Sequence, residues 1–247
     1  VSASAASSAL RTGRSGSIVE QNVGTIAGDM WFNRENNSLN FTWESSSYSS
    51  GVWSAGGALI TGQWDPASAG TQHAMLLIGG RGDSDKTQHY DGAAWTEGGN
   101  TVVDKINVAG TGTQNAALIT GGSDSPYQQT EVYNGFTWSG VNNLITGRDS
   151  VEALGTQNAA LAFGGRRYPV IYTCTEEWNG SSWSVATALI VGREEPGGAG
   201  HQYAGLAIGG GAPGICTNTE EYNGSVWSEI NNLNTARKSF ATAGNVS

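Results

Sequence analysis

Long apolar runs, basic residues and cysteines are all scarce in this chain, and each shortage excludes a class of proteins. No segment approaches the roughly 20 consecutive apolar residues that a membrane-spanning helix requires, so no membrane span is expected. The formal net charge of −9 argues against binding a nucleic-acid backbone, which requires a basic surface. The two cysteines, Cys174 and Cys216, form no Cys-x-x-Cys pair and have no histidine nearby, and a disulfide between them is not expected.

Residues that usually carry catalysis or bind metals are equally sparse. The three histidines (His73, His89 and His201) belong to no His-x-His or His-Glu-x-x-His pattern. No Gly-x-Ser-x-Gly elbow is present, and the glycine-rich segments lack the lysine of a phosphate-binding loop. We therefore predict no catalytic residue, no metal site, no cofactor and no enzymatic activity.

Glycine is abundant instead, with 37 residues, while charged residues make up only 13% of the chain. Helical proteins are normally rich in Lys, Glu and Leu, so this composition is unlike theirs. Glycine together with Ser, Thr, Asn and nine Trp is typical of many short strands joined by tight turns. The composition predicts an all-β fold.

A segment of eleven residues, 155–165, recurs along the chain. Residues 112–122 repeat it nearly letter for letter, and 70–80 and 200–210 are looser copies. Each of the four copies leads to a tryptophan, and together with Trp53 these tryptophans are spaced by 42 to 45 residues: Trp53, Trp95, Trp138, Trp183 and Trp227. Such a period indicates a repeat architecture.

Each unit contains the patterns of four strands. The apolar run 159–163 is typical of a strand covered on both faces, and we interpret it as the inner strand of the unit. Asn179-Gly180 predicts a two-residue type I′ hairpin turn, with Trp183 on the returning strand. Four strands in about 44 residues match a β-propeller blade. Five tryptophan units predict five four-stranded blades, with six blades or an incompletely closed ring as alternatives.

The chain divides into a short leader and a propeller. Residues 1–23 are predicted to be an N-terminal linker or leader, and 24–247 the propeller. The first blade, 24–53, is degenerate, because neither Gly-Gly nor Asn-Gly follows Gly24-Thr25-Ile26. A hairpin is expected within 28–41.

The order of an arginine, an apolar strand ending in Gly-Gly, an aromatic residue and a tryptophan resembles the kelch repeat over roughly residues 50–247. The sequence of 155–160 and the pattern Glu-Tyr-Asn-Gly-x-x-Trp-Ser are similar to kelch-like repeats in structural proteins of marine tailed phages. The segment 28–33, Gly-Asp-Met-Trp-Phe-Asn, resembles a hairpin of phage tail-fibre proteins. The Asn-Gly before the tryptophan departs from the longer, more acidic turn of kelch blades.

The repeats also predict ion pairs. A basic residue ten positions after one tryptophan goes with an acidic residue seven positions before the next, which gives the pairs Lys105–Glu131, Arg148–Glu176 and Arg193–Glu220. Where the first position is neutral, Gln63, the second is also neutral, Gln88. Charges that appear and disappear together indicate side chains in contact, so we interpret these residues as structural pairs. A ring of carboxylates that binds cations is the alternative.

The loop after Gly-Gly differs from unit to unit, and variable loops on a constant scaffold often carry binding. The binding candidates are Tyr127, Arg166, Arg167, Tyr168 and Tyr172. The resemblance implies a non-enzymatic virion module, on a phage tail fibre or the capsid surface, that contacts other virion proteins or a host-surface glycan or protein within a homo-oligomeric assembly. The alternative is a secreted or cell-surface carbohydrate-binding propeller, whose repeated Trp, Asn and Glu would form equivalent sugar sites.

Overall fold

The computed structural model describes residues 30–33, 38–41, 55–123, 125–211 and 213–244. These residues form strands and turns and contain no helix, so the all-β prediction is confirmed. The chain divides into two units, 1–55 and 56–247. In the first unit, β1 (Met30–Asn33) pairs antiparallel with β2 (Ser38–Phe41), within the segment predicted to form a hairpin. The predicted leader, 1–23, and the rest of the predicted first blade up to Trp53 lie outside the described residues.

The second unit consists of four antiparallel four-stranded sheets and one small hairpin. We number the sheets as blades 1 to 4. Their strands are, for blade 1, β3 (Ala67–Thr71), β4 (Ala74–Ile78), β5 (Thr87–Tyr90) and β6 (Trp95–Glu97); for blade 2, β7 (Ala109–Thr113), β8 (Ala116–Thr120), β9 (Thr130–Tyr133) and β10 (Trp138–Val141); for blade 3, β11 (Glu152–Thr156), β12 (Ala159–Phe163), β15 (Thr175–Trp178) and β16 (Trp183–Ala186); and for blade 4, β17 (Gly197–His201), β18 (Ala204–Ile208), β19 (Thr219–Tyr222) and β20 (Trp227–Glu229). In blade 3, β13 (Arg166–Arg167) and β14 (Val170–Ile171) form an additional hairpin between β12 and β15.

The four blades follow one another in a β-propeller-like arrangement, because the first strands of successive blades lie side by side: β3 beside β7, β7 beside β11 and β11 beside β17. The described residues form four blades, so the prediction of five blades is not supported. The predicted first blade falls almost entirely outside them, so its tryptophan cannot be counted as a blade. An incompletely closed ring, one of the alternatives, is consistent with four blades.

The repeat geometry continues past blade 4. The backbone carbonyl of Arg237 accepts a hydrogen bond from Gly210 at 2.9 Å, as that of Arg193 does from Gly165 at 2.8 Å. Ser239 has a φ of 55°, close to the 50° of Glu195 one repeat earlier. Thr242 Oγ1 then donates to the carbonyl of Gly198 in β17 at 2.6 Å. Residues 237–244 thus begin a further unit along blade 4.

The strand 159–163 is the second strand of blade 3, not the inner one as predicted. Strand β11 precedes it and contacts the neighbouring blades, whereas β12 lies between β11 and β15. Ala160 to Phe163 are fully buried because blades 2 and 4 cover the two faces of the sheet. This double coverage explains the unbroken apolar run. Gly164 and Gly165 end the strand with φ values of 65° and 94°, which favour glycine.

The Asn-Gly turns are also different from the prediction. Trp178 pairs with Trp183, which leaves a loop of four residues instead of a two-residue turn. Gly180 has a positive φ of 91°, and the side-chain oxygen of Asn179 accepts hydrogen bonds from the amides of Ser181 and Ser182 at 3.0 and 2.9 Å. An asparagine that bonds its own following backbone stabilises this longer loop.

Blades are joined by apolar packing and by two repeated hydrogen bonds. Three buried apolar clusters lie between blades 1 and 2, 2 and 3, and 3 and 4. The indole N–H of Trp183 donates to Thr130 Oγ1 in the preceding blade at 3.0 Å, and Trp138 and Trp227 make the same bond with Thr87 and Thr175. The glutamine of the Gly-Thr-Gln segment has a similar role. In blade 3, Gln157 Nε2 donates to the carbonyls of Ala117 and Tyr133 in blade 2, and Gln114 and Gln202 donate likewise to the blades before theirs.

Candidate functional site

The structure brings the members of each predicted charged pair together inside one blade. Arg148 forms a salt bridge with Glu176, and Arg193 forms one with Glu220. Lys105 Nζ lies 3.8 Å from Glu131 Oε1 and donates to Gln129 Oε1 at 2.9 Å. All six charged side chains are buried. The neutral version is present in blade 1, where Gln88 Nε2 donates to Gln63 Oε1 at 2.9 Å.

Each carboxylate also binds the backbone of the preceding link, by which we mean the segment between the last strand of one blade and the first strand of the next. Glu176 accepts hydrogen bonds from the backbone amides of Ile145 and Thr146 at 2.7 and 3.2 Å. Glu131 and Glu220 accept the equivalent pairs, and Gln88 Oε1 accepts from the amide of Ile60 at 2.9 Å. Because their oxygens are occupied by internal donors, these carboxylates are placed for a structural role. They do not form an open ring for cations.

The β13–β14 hairpin of blade 3 carries several exposed side chains. Arg166 pairs with Ile171 and Arg167 with Val170, so Tyr168 and Pro169 form the tip. The side chain of Tyr168 is 91% exposed, and Val170 is 49% exposed. At the base of the hairpin, the amide of Tyr172 donates to the carbonyl of Gly165 at 2.9 Å. The carbonyl of Tyr172 accepts from the amide of Arg193 at 3.2 Å, which ties the hairpin to the next link.

Arg166 anchors the hairpin through ion pairs. Its Nε lies 3.1 Å from Asp149 Oδ1, and its Nη1 lies 2.6 Å from Glu194 Oε2. Lys238 extends the network by pairing with Glu194 at 3.3 Å and Glu195 at 3.2 Å. Burial lowers the pKa of Arg166, but the hydrogen bonds and charges of Glu194 and Asp149 outweigh this effect and the pKa is raised overall. Arg166 is therefore a positioning residue of the hairpin and is not free to bind a partner.

Arg167 is available at the surface and is oriented by a neighbour. Its guanidinium carbon lies 4.4 Å from the ring centroid of Tyr127, in the loop of blade 2. This cation–π contact joins two of the five predicted binding residues. Tyr168 lies beside Arg167 in the chain, whereas Tyr172 is half-buried at the base. The structure thus groups the exposed Arg167 and Tyr168 with the half-buried Tyr127 as one surface patch, which we call the hairpin patch.

A polar contact between blades 1 and 2 was not predicted. His89 Nε2 lies 2.8 Å from the hydroxyl of Tyr133, and burial lowers the pKa of His89 and raises that of Tyr133. Two blades on, Tyr222 donates from the same repeat position to Glu177 Oε1 at 2.8 Å. A comparison of the units could have found these contacts. The residue six positions before one tryptophan meets the aromatic residue five positions before the next, and the residue type changes between units at both positions.

Glu152 is a carboxylate without a partner in the described residues. It lies in β11, half-buried against Gly198 of β17, where an added Cβ would meet Glu152 Cγ at 2.7 Å. Burial raises the pKa of its carboxyl group to about 8. The folded protein therefore binds an extra proton between the ordinary carboxyl pKa and pH 8.

This raised pKa predicts a pH-dependent cost in stability. A carboxyl group whose pKa is higher in the folded state contributes its full stabilisation below its unfolded pKa, and this stabilisation is lost as pH rises towards 8. Replacing Glu152 by glutamine should raise the free energy of unfolding at pH 9 on the order of 1–3 kcal/mol, allowing for the partial exposure of the group. At pH 4 it should have little effect. Urea denaturation at both pH values measures the difference, with Glu229→Gln, an exposed carboxylate, as the control. An equal effect of Glu152→Gln at both pH values would contradict the assignment.

No metal-binding cluster, disulfide or long apolar helix occurs in the part of the chain that the structure describes. No group of three or more His, Cys, Asp or Glu side chains there could hold a metal ion. Cys174 and Cys216 are free thiols. No helix with the length and apolarity to cross a bilayer occurs among these residues.

Comparison with known proteins adds no assignment: no protein-family model matches this sequence, and no curated protein matches it significantly. The site is therefore argued from its own geometry.

Proposed function

We propose that this protein is a non-enzymatic recognition module in which a rigid propeller-like scaffold presents the hairpin patch to a partner. The observation that carries the proposal is the position of Tyr168, almost fully exposed at the tip of a hairpin whose base is fixed by ion pairs and backbone hydrogen bonds. A large exposed aromatic side chain on an ordered loop loses little conformational entropy when it is buried by a partner.

The composition of the patch supports protein or glycan contacts. Tyrosine and arginine are enriched among the residues that dominate binding energies at interfaces. Tyr127 holds the guanidinium of Arg167 at the surface, so this charge is pre-oriented before binding. In blade 4, the loop at the same place contains Pro213, Gly214 and Ile215 and has neither tyrosine nor arginine. The patch is therefore formed by the loops of blades 2 and 3 and has no equivalent in the loop of blade 4.

The setting we propose is a virion. The kelch-like repeat and the Gly-Asp-Met-Trp-Phe-Asn segment resemble sequences of tailed-phage structural and tail-fibre proteins. A place on a tail fibre or on the capsid surface, within a homo-oligomeric assembly, follows from that resemblance. The partner of the hairpin patch would then be another virion protein or a host-surface molecule.

The alternative, a secreted or cell-surface carbohydrate-binding propeller, cannot use the residues first expected for it. The repeated Trp138, Trp183 and Trp227 are buried between blades, and the repeated glutamates are buried in ion pairs. Equivalent sugar sites built from these residues in every blade would have no access to a ligand. A carbohydrate site would have to lie elsewhere.

Binding to host cells and to particles that lack this protein tests the proposal. Changing Arg167 and Tyr168 together to alanine should weaken binding at least about tenfold, since each such residue typically contributes more than 1 kcal/mol. The melting temperature should stay unchanged because both side chains are exposed. Tyr203→Ala, an exposed tyrosine elsewhere in the unit, is the matched control. Undiminished binding by the Arg167/Tyr168 variant would refute the proposed role of the patch.

A further inference from the structure

A second candidate site lies at the outer part of the seam between blades 1 and 2, away from the hairpin patch. It is a solvent-open cavity of about 310 Å³, bordered by His89, Glu97, Gly98, Gly99, Tyr133 and Phe136 among others. This volume is at the lower end of the range for small-molecule sites, roughly 300 to 1,000 Å³.

Glycine residues line this seam where the corresponding seams carry side chains. Between blades 2 and 3, Asn142 Nδ2 donates to the carbonyl of Ser181 at 2.8 Å. Between blades 3 and 4, Thr187 Oγ1 donates to the carbonyl of Ser225 at 2.6 Å. The residue at this repeat position after blade 1 is Gly99, whose backbone lies so close to Phe136 that an added Cβ would meet the Phe136 carbonyl oxygen at 2.2 Å. The cavity borders this backbone contact and has no bridging side chain of that kind.

Gly98 lies beside the same cavity and stands where the later units have Val141 and Ala186. A Cβ at Gly98 would lie 2.7 Å from Cδ2 and Nε2 of His89, so only glycine leaves room for the imidazole at this place. The His89–Tyr133 hydrogen bond keeps the imidazole in place beside the cavity.

Phe136 forms an apolar wall of the cavity, at a position where the equivalent turns have small residues. Its side chain is 81% exposed, while the equivalent residues are Ala93, Ser181 and Ser225. An exposed phenyl ring costs free energy in water, and nothing in the described structure covers it. Glu97, also exposed, adds a carboxylate at the rim. The cavity thus combines one aromatic face with several hydrogen-bonding groups.

We propose that this cavity binds a single neutral pyranose unit of a glycan, with the apolar face of the sugar against Phe136 and its hydroxyl groups bonded to Glu97 and His89. An anionic sugar would meet a carboxylate and no Lys or Arg among the lining residues. A cationic ligand would meet one phenyl ring and one solvated carboxylate, each of which attracts a charge only weakly in water. An uncharged ligand with one apolar face and several hydroxyl groups fits both surfaces.

Saturation-transfer NMR on the full chain tests this site with four probes: the methyl pyranosides of glucose, galactose, mannose and N-acetylglucosamine. We expect transfer to at least one of them. Phe136→Ser, which installs the residue of the equivalent turns, and Glu97→Gln should each raise its Kd about tenfold, or about 1.4 kcal/mol. Glu229→Gln, at the matching position of blade 4, and the Arg167/Tyr168 variant should leave the Kd unchanged.

Three results would overturn the inference. They are no transfer to any of the four glycosides, unchanged binding by Phe136→Ser with an unchanged melting temperature, and transfer to tetramethylammonium but to none of the glycosides. Because the hairpin patch is assayed with different variants and a different partner, failure of this site leaves the proposed function open, and the reverse is also true.

Discussion

Replacing Glu176 by glutamine is expected to lower the free energy of unfolding by about 3 kcal/mol or more, because it leaves Arg148 as an uncompensated charge in the interior. Both side chains are buried, and Arg148 also donates to the carbonyls of Thr146 and Gly164 at 2.8 Å, so it cannot move out to solvent without losing these bonds. Arg148→Gln should cost a similar amount, since it strands the carboxylate of Glu176.

Blade 1 already has the arrangement that the double variant would create. Gln63 and Gln88 stand at the two positions of the pair and bond to each other, and Gln88 also bonds to the backbone of the preceding link. Arg148→Gln combined with Glu176→Gln should therefore recover most of the loss of either single variant. A double-mutant cycle by urea denaturation measures the coupling, which we expect to exceed about 2 kcal/mol. Single losses that simply add would show that the pair does not act as a unit.

Trp183→Ala should cost about 3–5 kcal/mol, the usual range for removing a large buried aromatic residue. Trp183 lies in the apolar cluster between blades 2 and 3 and donates its indole N–H to Thr130 Oγ1, so its removal leaves a cavity and takes away one of the two hydrogen bonds of that hydroxyl group, which keeps its bond to Thr120.

Two further variants divide this loss. Thr130→Val keeps the indole ring but removes its hydrogen-bond acceptor together with the Thr120–Thr130 bond, and it should cost about 1–2 kcal/mol. Trp64→Ala, at an exposed tryptophan, should change the free energy of unfolding by less than about 0.5 kcal/mol. Chemical denaturation of the three variants gives the comparison. Equal losses for Trp183→Ala and Trp64→Ala would contradict the role of the repeated tryptophan in joining blades.

Repetition explains which contacts could be predicted from the sequence. Lys105–Glu131, Arg148–Glu176 and Arg193–Glu220 were visible because charge varies at both positions together while the distance along the chain is nearly constant. The glutamine of Gly-Thr-Gln repeats without variation, so no pattern of change showed that it bonds to the preceding blade. Invariance marks a position but does not identify its partner.

Other features depend on geometry that the repeat pattern does not contain. Asn-Gly is compatible with a two-residue turn, and only the hydrogen bonds of the Asn179 side chain select the four-residue loop. The apolar run 159–163 showed burial on both faces, yet a second strand between two blades is buried in the same way as an inner one. The number of blades depended on Trp53, which lies outside the described residues.

The two candidate sites show the same limit. Tyr127 and Arg167 were both selected because their loops vary, but their contact arises between blades 2 and 3, whereas the Arg81–Trp64 contact of blade 1 uses other repeat positions. The cavity beside Phe136 lies where the backbone of Gly98 and Gly99 packs closely against His89 and Phe136. Two glycines among 37 carry little information until the neighbouring blade is in place.

Exchanging the loop of blade 3 for that of blade 4 removes Arg167 and Tyr168 while it keeps the shared scaffold, so it separates recognition from folding. Residues 167–174 would be replaced by the sequence of 212–218, with Arg166 kept to preserve its ion pairs with Asp149 and Glu194. Binding to host cells and to particles that lack the protein is measured beside the melting temperature. We expect a folded protein that melts within a few degrees of the parent, a shift of about 1 kcal/mol or less, and no longer binds. Full binding by the exchanged protein would show that recognition does not depend on this loop.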